Sequence, residues 1–215
     1  MGPRGDALLQ FDWTVGEIMA ALEKAGIADN TLIVLSSDNG PVVDDGYADQ
    51  AVELLGEHKP WGMFRGGKYS CFEAGTRVPF IVSWPATVKP GVSDALVSQI
   101  DLYASMASLM DKNLENGAGP DSRNQLEAFL GKDPKGRDYI IEQAGSLSVS
   151  DGEWKYIAPG RGAAYNKLTN TELGNSKEEQ LYHLRQDIGE KENVASTHPE
   201  IVAKLRGILE KEKGK

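Results

Sequence analysis

The sequence predicts an α/β protein: residues 1–135 form part of a parallel sheet with flanking helices, and residues 136–215 form a small antiparallel sheet with a helix packed on it. Three observations carry this prediction. The run Thr31-Leu32-Ile33-Val34-Leu35 is short, continuous and apolar, the pattern of a parallel strand covered on both faces. A second such run, Val78 to Trp84, is closed by Pro85 and followed by helical spacing, so the first half reads strand, long loop, strand, helix. After a polar, Gly-rich boundary, short strand-like segments crowd around an Asp-Gly turn signal.

Each element has its own justification. Phe11, Val15, Ile18, Met19 and Leu22 fall on one side of a helix, read as a core face, and Gly26 is suited to end it. Asp29-Asn30 turns the chain into the first strand. Residues 38–75 carry no long periodic pattern but hold Gly40, Gly46, Gly56, Gly62, Gly66, Gly67 and Gly75, and so long a loop in a compact domain is functional or disordered. Helical spacing returns at Leu102, Met106, Leu109 and Met110, within 93–110. Strands are expected over Tyr139 to Glu142, Ser146 to Ser150, Trp154 to Ala158 and Gln180 to Leu184, with Asp151-Gly152 turning a hairpin. Thr197 with Glu200 makes a capping box, and Ile201, Val202, Leu205, Ile208 and Leu209 form the apolar stripe of the last helix.

Composition narrows the function. A chain of 215 residues with 40% hydrophobic content can bury a real core. Its net charge of −9 argues against nucleic acid as a partner, because phosphate binding needs a surplus of Lys and Arg. The single cysteine, Cys71, excludes an internal disulfide framework and reads as a small buried apolar residue. No run approaches the ~20 apolar residues of a membrane span, and MGPRGDALLQ lacks the apolar core of a signal peptide.

The stretch Ser36-Ser37-Asp38-Asn39-Gly40-Pro41 raises the question of chemistry, because an acid and an amide stand side by side at the end of a strand. Asp, Asn, Gly and Pro all favour turns, so a plain turn is one reading. A ligand site is the other: ligands gather at the carboxyl ends of strands in open α/β sheets, and a carboxylate and an amide carbonyl are hard oxygen donors of the kind calcium and magnesium take. Downstream, His58-Lys59-Pro60 and Arg65-Gly66-Gly67-Lys68 place cations beside residues without side chains, which lets backbone approach an anion while Arg or Lys supplies charge. Asp44 and Asp45 read as a solvated turn, and His183 and His198 as surface residues.

The blocks SSDNGP, HKPWGMFRGGKYSCFEAGTRVPFIVSWP, VSQIDLY, EWKYI and QLYHLRQDIGEKENVASTHPEIV resemble the second half of a type I, formylglycine-dependent sulfatase of the alkaline phosphatase superfamily. The resemblance implies an alkaline-phosphatase-like sheet, a calcium ion ligated by Asp38 and Asn39, and Lys68 on the sulfate oxygens. It implies a substrate contact or general-acid role for His58, which could equally be a loop histidine bonded to backbone. Arg65 is expected either to touch a substrate acid group or to brace the loop, and Arg77 to brace the strand start. The substrate implied is a sulfated carbohydrate or aryl sulfate, and the location periplasmic or secreted.

The chain departs from the family in lacking the C/S-x-P-S-R motif whose Cys or Ser becomes formylglycine, the nucleophile; Cys71 is followed by Phe-Glu-Ala-Gly and does not match. Met1 falls where the family pattern is in mid-chain. The expectation is therefore a fragment, inactive alone, that joins a missing N-terminal half or self-associates through an exposed sheet. Two other readings stay open: a non-catalytic module binding an anion or carbohydrate, and a phosphoesterase of the same superfamily.

Overall fold

The structure, a computed structural model, describes residues 1–213. Helix α1 (Gly2–Lys24) opens the chain and is closed by Gly26 in the left-handed region at φ +69°. The amides of Gly26 and Ile27 reach back to the carbonyls of Glu23 and Leu22, a Schellman ending that only a residue without Cβ adopts cheaply. A 3-10 turn, Ala28–Asn30, then feeds β1 (Ile33–Ser36). The helix is where expected, but its core face is not a core: no residue of α1 is buried, and Phe11 and Trp13 are 51% and 63% exposed. Only Val15 and Leu22 of the expected set are half-covered.

The second strand, β2 (Phe80–Ser83), follows a short helix α2 (Glu73–Thr76), and β1 and β2 pair with each other in antiparallel register, Ile33 opposite Ser83 and Ser36 opposite Phe80. Among the described residues neither strand has a parallel neighbour; β1 is half-buried throughout, and β2 is open on one face, Ile81 being 57% exposed. Apolar runs signal burial capacity rather than strand direction, so the sequence could not distinguish the two pairings.

Helix α3 (Asp101–Leu109) is shorter than the predicted 93–110, and its buried positions are Asp101, Ser105 and Ala107 rather than the apolar stripe. The polar face has a purpose. Asp101 accepts from the Arg123 amide at 2.8 Å and Ser105 from the Gln125 amide at 2.8 Å, so the helix satisfies the backbone of the boundary segment. Arg137, itself buried, closes a two-pronged pair on the Asp101 carboxylate, with Nε at 2.6 Å. That segment also holds α4 (Leu126–Phe129), which no sequence signal announced, and Phe129 stacks on Phe80 with ring centroids 5.2 Å apart.

The C-terminal sheet forms as read. Strands β3 (Ile140–Ala144), β4 (Ser146–Ser150) and β5 (Trp154–Ile157) run as an antiparallel meander. Two short strands, β6 (Tyr165–Asn166) and β7 (Thr171–Glu172), make a separate hairpin that the sequence did not reveal. Strand β8 (Gln180–His183) then completes the sheet in the order β3-β4-β5-β8. At the Asp151-Gly152 turn, the Asp151 carboxylate accepts from the Glu153 and Trp154 amides while Gly152 takes φ +86°.

Strand alternation sends the sheet's residues to two buried faces. Val149, Tyr156 and Leu181 meet Val202, Leu205 and Leu209 of α5 (Pro199–Lys213), while Ile157 and Tyr182 on the opposite face meet Cys71 and Phe72. The capping box does not form: the Thr197 hydroxyl donates to the Val194 carbonyl, and the first helical amides return to His198. His183 and His198 are not loose surface residues but flank the Trp154 ring, at centroid distances of 4.3 and 5.1 Å.

Candidate functional site

The end of β1 is held before any ligand chemistry is considered. Ser36 donates to the Pro79 carbonyl at 2.7 Å, and the Gln99 amide donates to both the Ser36 hydroxyl and the Ser37 carbonyl at 2.6 Å. Asn39 Nδ2 donates to Asp38 Oδ1 at 2.7 Å, which fixes acid and amide relative to each other. Asp38 is exposed and Asn39 half-buried.

Behind this pair the backbone is packed so closely that side chains are excluded. The Gly40 amide donates to the Gly75 carbonyl at 3.0 Å, and a Cβ on Gly40 would lie 1.6 Å from the Ala74 carbonyl oxygen. The Lys68 amide donates to the Pro41 carbonyl at 2.9 Å, and a Cβ on Gly67 would lie 2.7 Å from that same oxygen. A Cβ on Gly75 would meet the Ser70 carbonyl oxygen at 2.1 Å. The loop carrying Asp38 and Asn39, the loop carrying Lys68 and the α2 turn are therefore one block, and the glycines the sequence displayed are where its backbones touch.

Within the block the Lys68 ammonium donates to Asp45 Oδ2 at 2.8 Å, and Tyr69 donates to the same carboxylate at 3.0 Å. These hydrogen bonds, to Asp45 first and then Tyr69, hold the lysine above its usual pKa range, and the bond from Lys68 holds Asp45 below the usual carboxylate range. Asp45 is thus a partner of the candidate anion-binding cation, not the solvated turn residue expected; Asp44, which accepts from the Gly46 amide, does behave as a turn. An open cavity bordered by Arg4, Leu8, Val42, Asp45, Tyr47 and Asp49 lies next to this pair.

The remaining candidates separate. His58 lies exposed in the same long loop, its backbone amide bonded to the Leu55 carbonyl. Arg65 is engaged inward: Nε donates to Glu172 at 2.5 Å, another nitrogen to the Glu190 carbonyl at 2.5 Å, and the guanidinium lies 4.0 Å from the centre of the Phe72 ring. Arg77 donates to Glu73 at 2.5 Å. Cys71 is buried, its thiol directed at the Ala144 carbonyl at 2.9 Å, and burial pushes its pKa up, the opposite of what a nucleophile needs. Among the described residues no group of three or more His, Cys, Asp and Glu side chains is arranged to hold a metal ion.

Under the block lies a charged cluster that sequence reasoning missed. Lys155, fully buried on β5, donates to Glu73 at 2.9 Å and stands 3.0 Å from Glu142. Glu190, also fully buried, accepts from the Glu73 amide at 2.6 Å. Burial works against the Lys155 charge, but Glu142, Glu73 and Glu190 outweigh it and keep its pKa above the usual range. Burial pushes the Glu190 carboxyl up to about 7 against the pull of Lys155. The available signal was strand alternation in Trp154-Lys155-Tyr156-Ile157, which puts Lys155 on the face opposite Tyr156.

The chain belongs to the sulfatase family: the family model described as Sulfatase matches residues 1–112, over half of the 215. Among particular relatives, the N-acetylgalactosamine-6-O-sulfatase of Bacteroides thetaiotaomicron is 52% identical over 212 residues, which span 98% of this chain and 42% of that protein. Human arylsulfatase A is 30% identical over 231 residues, covering 96% of this chain and 42% of its own length. A Bacteroides thetaiotaomicron protein solved in work on the metabolism of multiple glycosaminoglycans superposes on all of this chain with TM-score 0.97 and 51% identity, over 45% of its own length. The PsFucS1 sulfatase of Pseudoalteromonas, 22% identical with TM-score 0.79 over 97% of this chain and 42% of its own, shares the fold. The α/β, alkaline-phosphatase-like architecture is therefore as expected, and the chain spans less than half the length of each of these relatives.

Proposed function

We propose that this chain supplies part of the sulfate-ester site of a sulfatase acting on sulfated sugars, with 6-O-sulfated N-acetylgalactosamine the first substrate to test and aryl sulfates the second. The observation that carries the reading is the backbone lock between the Asp38–Asn39 loop and the Lys68 loop, through Lys68 to Pro41 and Gly40 to Gly75. It joins two hard oxygen donors and an ammonium in one rigid block, in a chain 52% identical to an N-acetylgalactosamine-6-O-sulfatase.

Asp38 and Asn39 fit a calcium ion as two of the six to eight oxygens it takes, since Asp38 is exposed and the amide that donates to it is the nitrogen of Asn39, which leaves the side-chain oxygen of Asn39 as its acceptor atom. When bound, the ion supplies charge neutralisation for the sulfate group. Lys68, fully protonated at neutral pH, exchanges the Asp45 carboxylate for sulfate oxygens of the same sign. His58 is close in sequence to this loop and is the candidate for a substrate contact or for the proton delivered to the leaving alcohol. Arg65, committed to Glu172 and Glu190, braces the loop. By the family resemblance, the formylglycine nucleophile and the other calcium ligands would come from a segment matching the part of the relatives that this chain does not span, and that segment is the partner proposed for the uncovered face of α1. A periplasmic or secreted location belongs to the same reading by family analogy.

The test is co-expression of the chain with the remaining portion of the Bacteroides relative, followed by sulfate release from 6-O-sulfated N-acetylgalactosamine. Lys68→Ala should lower turnover by about 10²-fold or more, the scale of losing a preorganised charge-stabilising donor. Turnover indifferent to Lys68→Ala, or faster hydrolysis of a phosphate ester, overturns the reading.

A further inference from the structure

The α2 turn has contacts on every side. Gly75 receives the Gly40 amide from the Asp38–Asn39 loop, and the Ala74 amide donates to the Arg65 carbonyl in the loop that leads to Lys68. The Glu73 amide is capped by Glu190, and the Glu73 carboxylate is gripped by Arg77 and, from below, by Lys155. Lys155 also donates to the Thr76 hydroxyl at 3.4 Å, so it reaches both ends of the turn. Its own position is set by β5, whose neighbours β4 and β8 are held against α5. Every residue of the turn except Thr76 is buried, and the Lys155 and Glu190 that hold Glu73 are fully buried with it, so only the Arg77 side of the Glu73 carboxylate is open to water.

We propose that Lys155 is a positioning residue for the sulfate-ester site, acting through Glu73 to fix the turn from which the Asp38–Asn39 loop and the Lys68 loop both hang. This assigns the C-terminal sheet a part in the site without touching substrate. It rests on the reading of Asp38, Asn39 and Lys68 given above. A buried ammonium shared by Glu73 and Glu142 is an expensive way to achieve stability alone, since hydrophobic replacements of buried ion pairs are often as stable. What the pair adds is direction: the ammonium holds a particular carboxylate oxygen at 2.9 Å, and with it the helix turn that carries it.

Amide hydrogen exchange of the chain, recorded by NMR without metal or sulfate, tests this. Glu73→Gln and Lys155→Met should each speed exchange of the Gly40, Lys68 and Ala74 amides by about tenfold or more, while the Val202 and Arg137 amides, bonded elsewhere, keep their protection. Lys155→Arg, which retains the cation, should restore part of that protection. Unchanged exchange at Gly40 and Lys68 in a folded variant overturns the proposal, and so does a uniform rise that includes Val202 and Arg137, because that is loss of global stability. If Lys155→Met does not fold, Glu73→Gln decides alone. Because no ligand is present, failure here leaves the calcium and sulfate assignments standing, and failure of the turnover test leaves the coupling standing.

Discussion

Gly40 shows how the candidate site depends on atoms that are not there. An added methyl would sit 1.6 Å from the Ala74 carbonyl oxygen, which is backbone and has no side-chain rotation to relieve the overlap. Gly40→Ala should therefore cost about 3 kcal/mol or more, at the severe end of single substitutions, measured by urea unfolding. Glu190 makes a different prediction. A carboxyl whose pKa is raised by folding binds its proton more tightly in the folded chain, so its contribution is present at low pH and is lost as pH rises from 4.5 toward about 7. Glu73 beside it is lowered, burial being outweighed by Lys155 and Arg77, so its contribution is present above 4.5 and lost on acidification. Glu190→Gln should match the parent near pH 4 and exceed it by about 1–3 kcal/mol at pH 8, read from denaturation at the two pH values. At this scale Asp38, Asn39 and Lys68 stood out by residue type alone, whereas Asp45 was misjudged as solvated turn, because turn propensity is local and an ion pair 23 residues apart is not.

The elements divide by how much of their neighbourhood lies within the chain. Strands β3, β4, β5 and β8 and helix α5 were legible because each repeats its period against partners close in sequence. Leu205, fully buried against the sheet, should cost about 2–5 kcal/mol as Leu205→Ala. Helix α1 was equally legible as a helix and misjudged in its packing. Phe11→Glu and Ile18→Glu, at positions 51% and 52% exposed, should alter the chain's own unfolding free energy by no more than about 0.5 kcal/mol, in contrast to the same change in any core helix. Helix α4 and the β6–β7 hairpin had no readable signal, since four and two residues are too few to show a period.

As a whole molecule the chain is lopsided. Its C-terminal sheet is covered on both faces, while β1 and β2 make a two-stranded ribbon and α1 has no buried residue. A lone ribbon of this kind is marginal in water and its edges invite pairing. Expressed by itself, the chain should sediment as species larger than a monomer, and Phe11→Glu with Ile18→Glu should shift it toward the monomer. A monodisperse parent monomer would remove the case for an apolar docking face on α1.

The sequence by itself determined where α1, β1, β2, the strands of the C-terminal sheet and α5 lie and which residues carry charge into the long loop, because these follow from local periodicity, turn chemistry and residue type. Tertiary structure alone decided that β1 and β2 run antiparallel, that Lys68 holds Asp45, and that Lys155 reaches Glu73 across 82 residues of chain. Pairing direction and ion-pair choice are set by which surfaces meet once the chain is folded, and no spacing along the chain encodes that meeting.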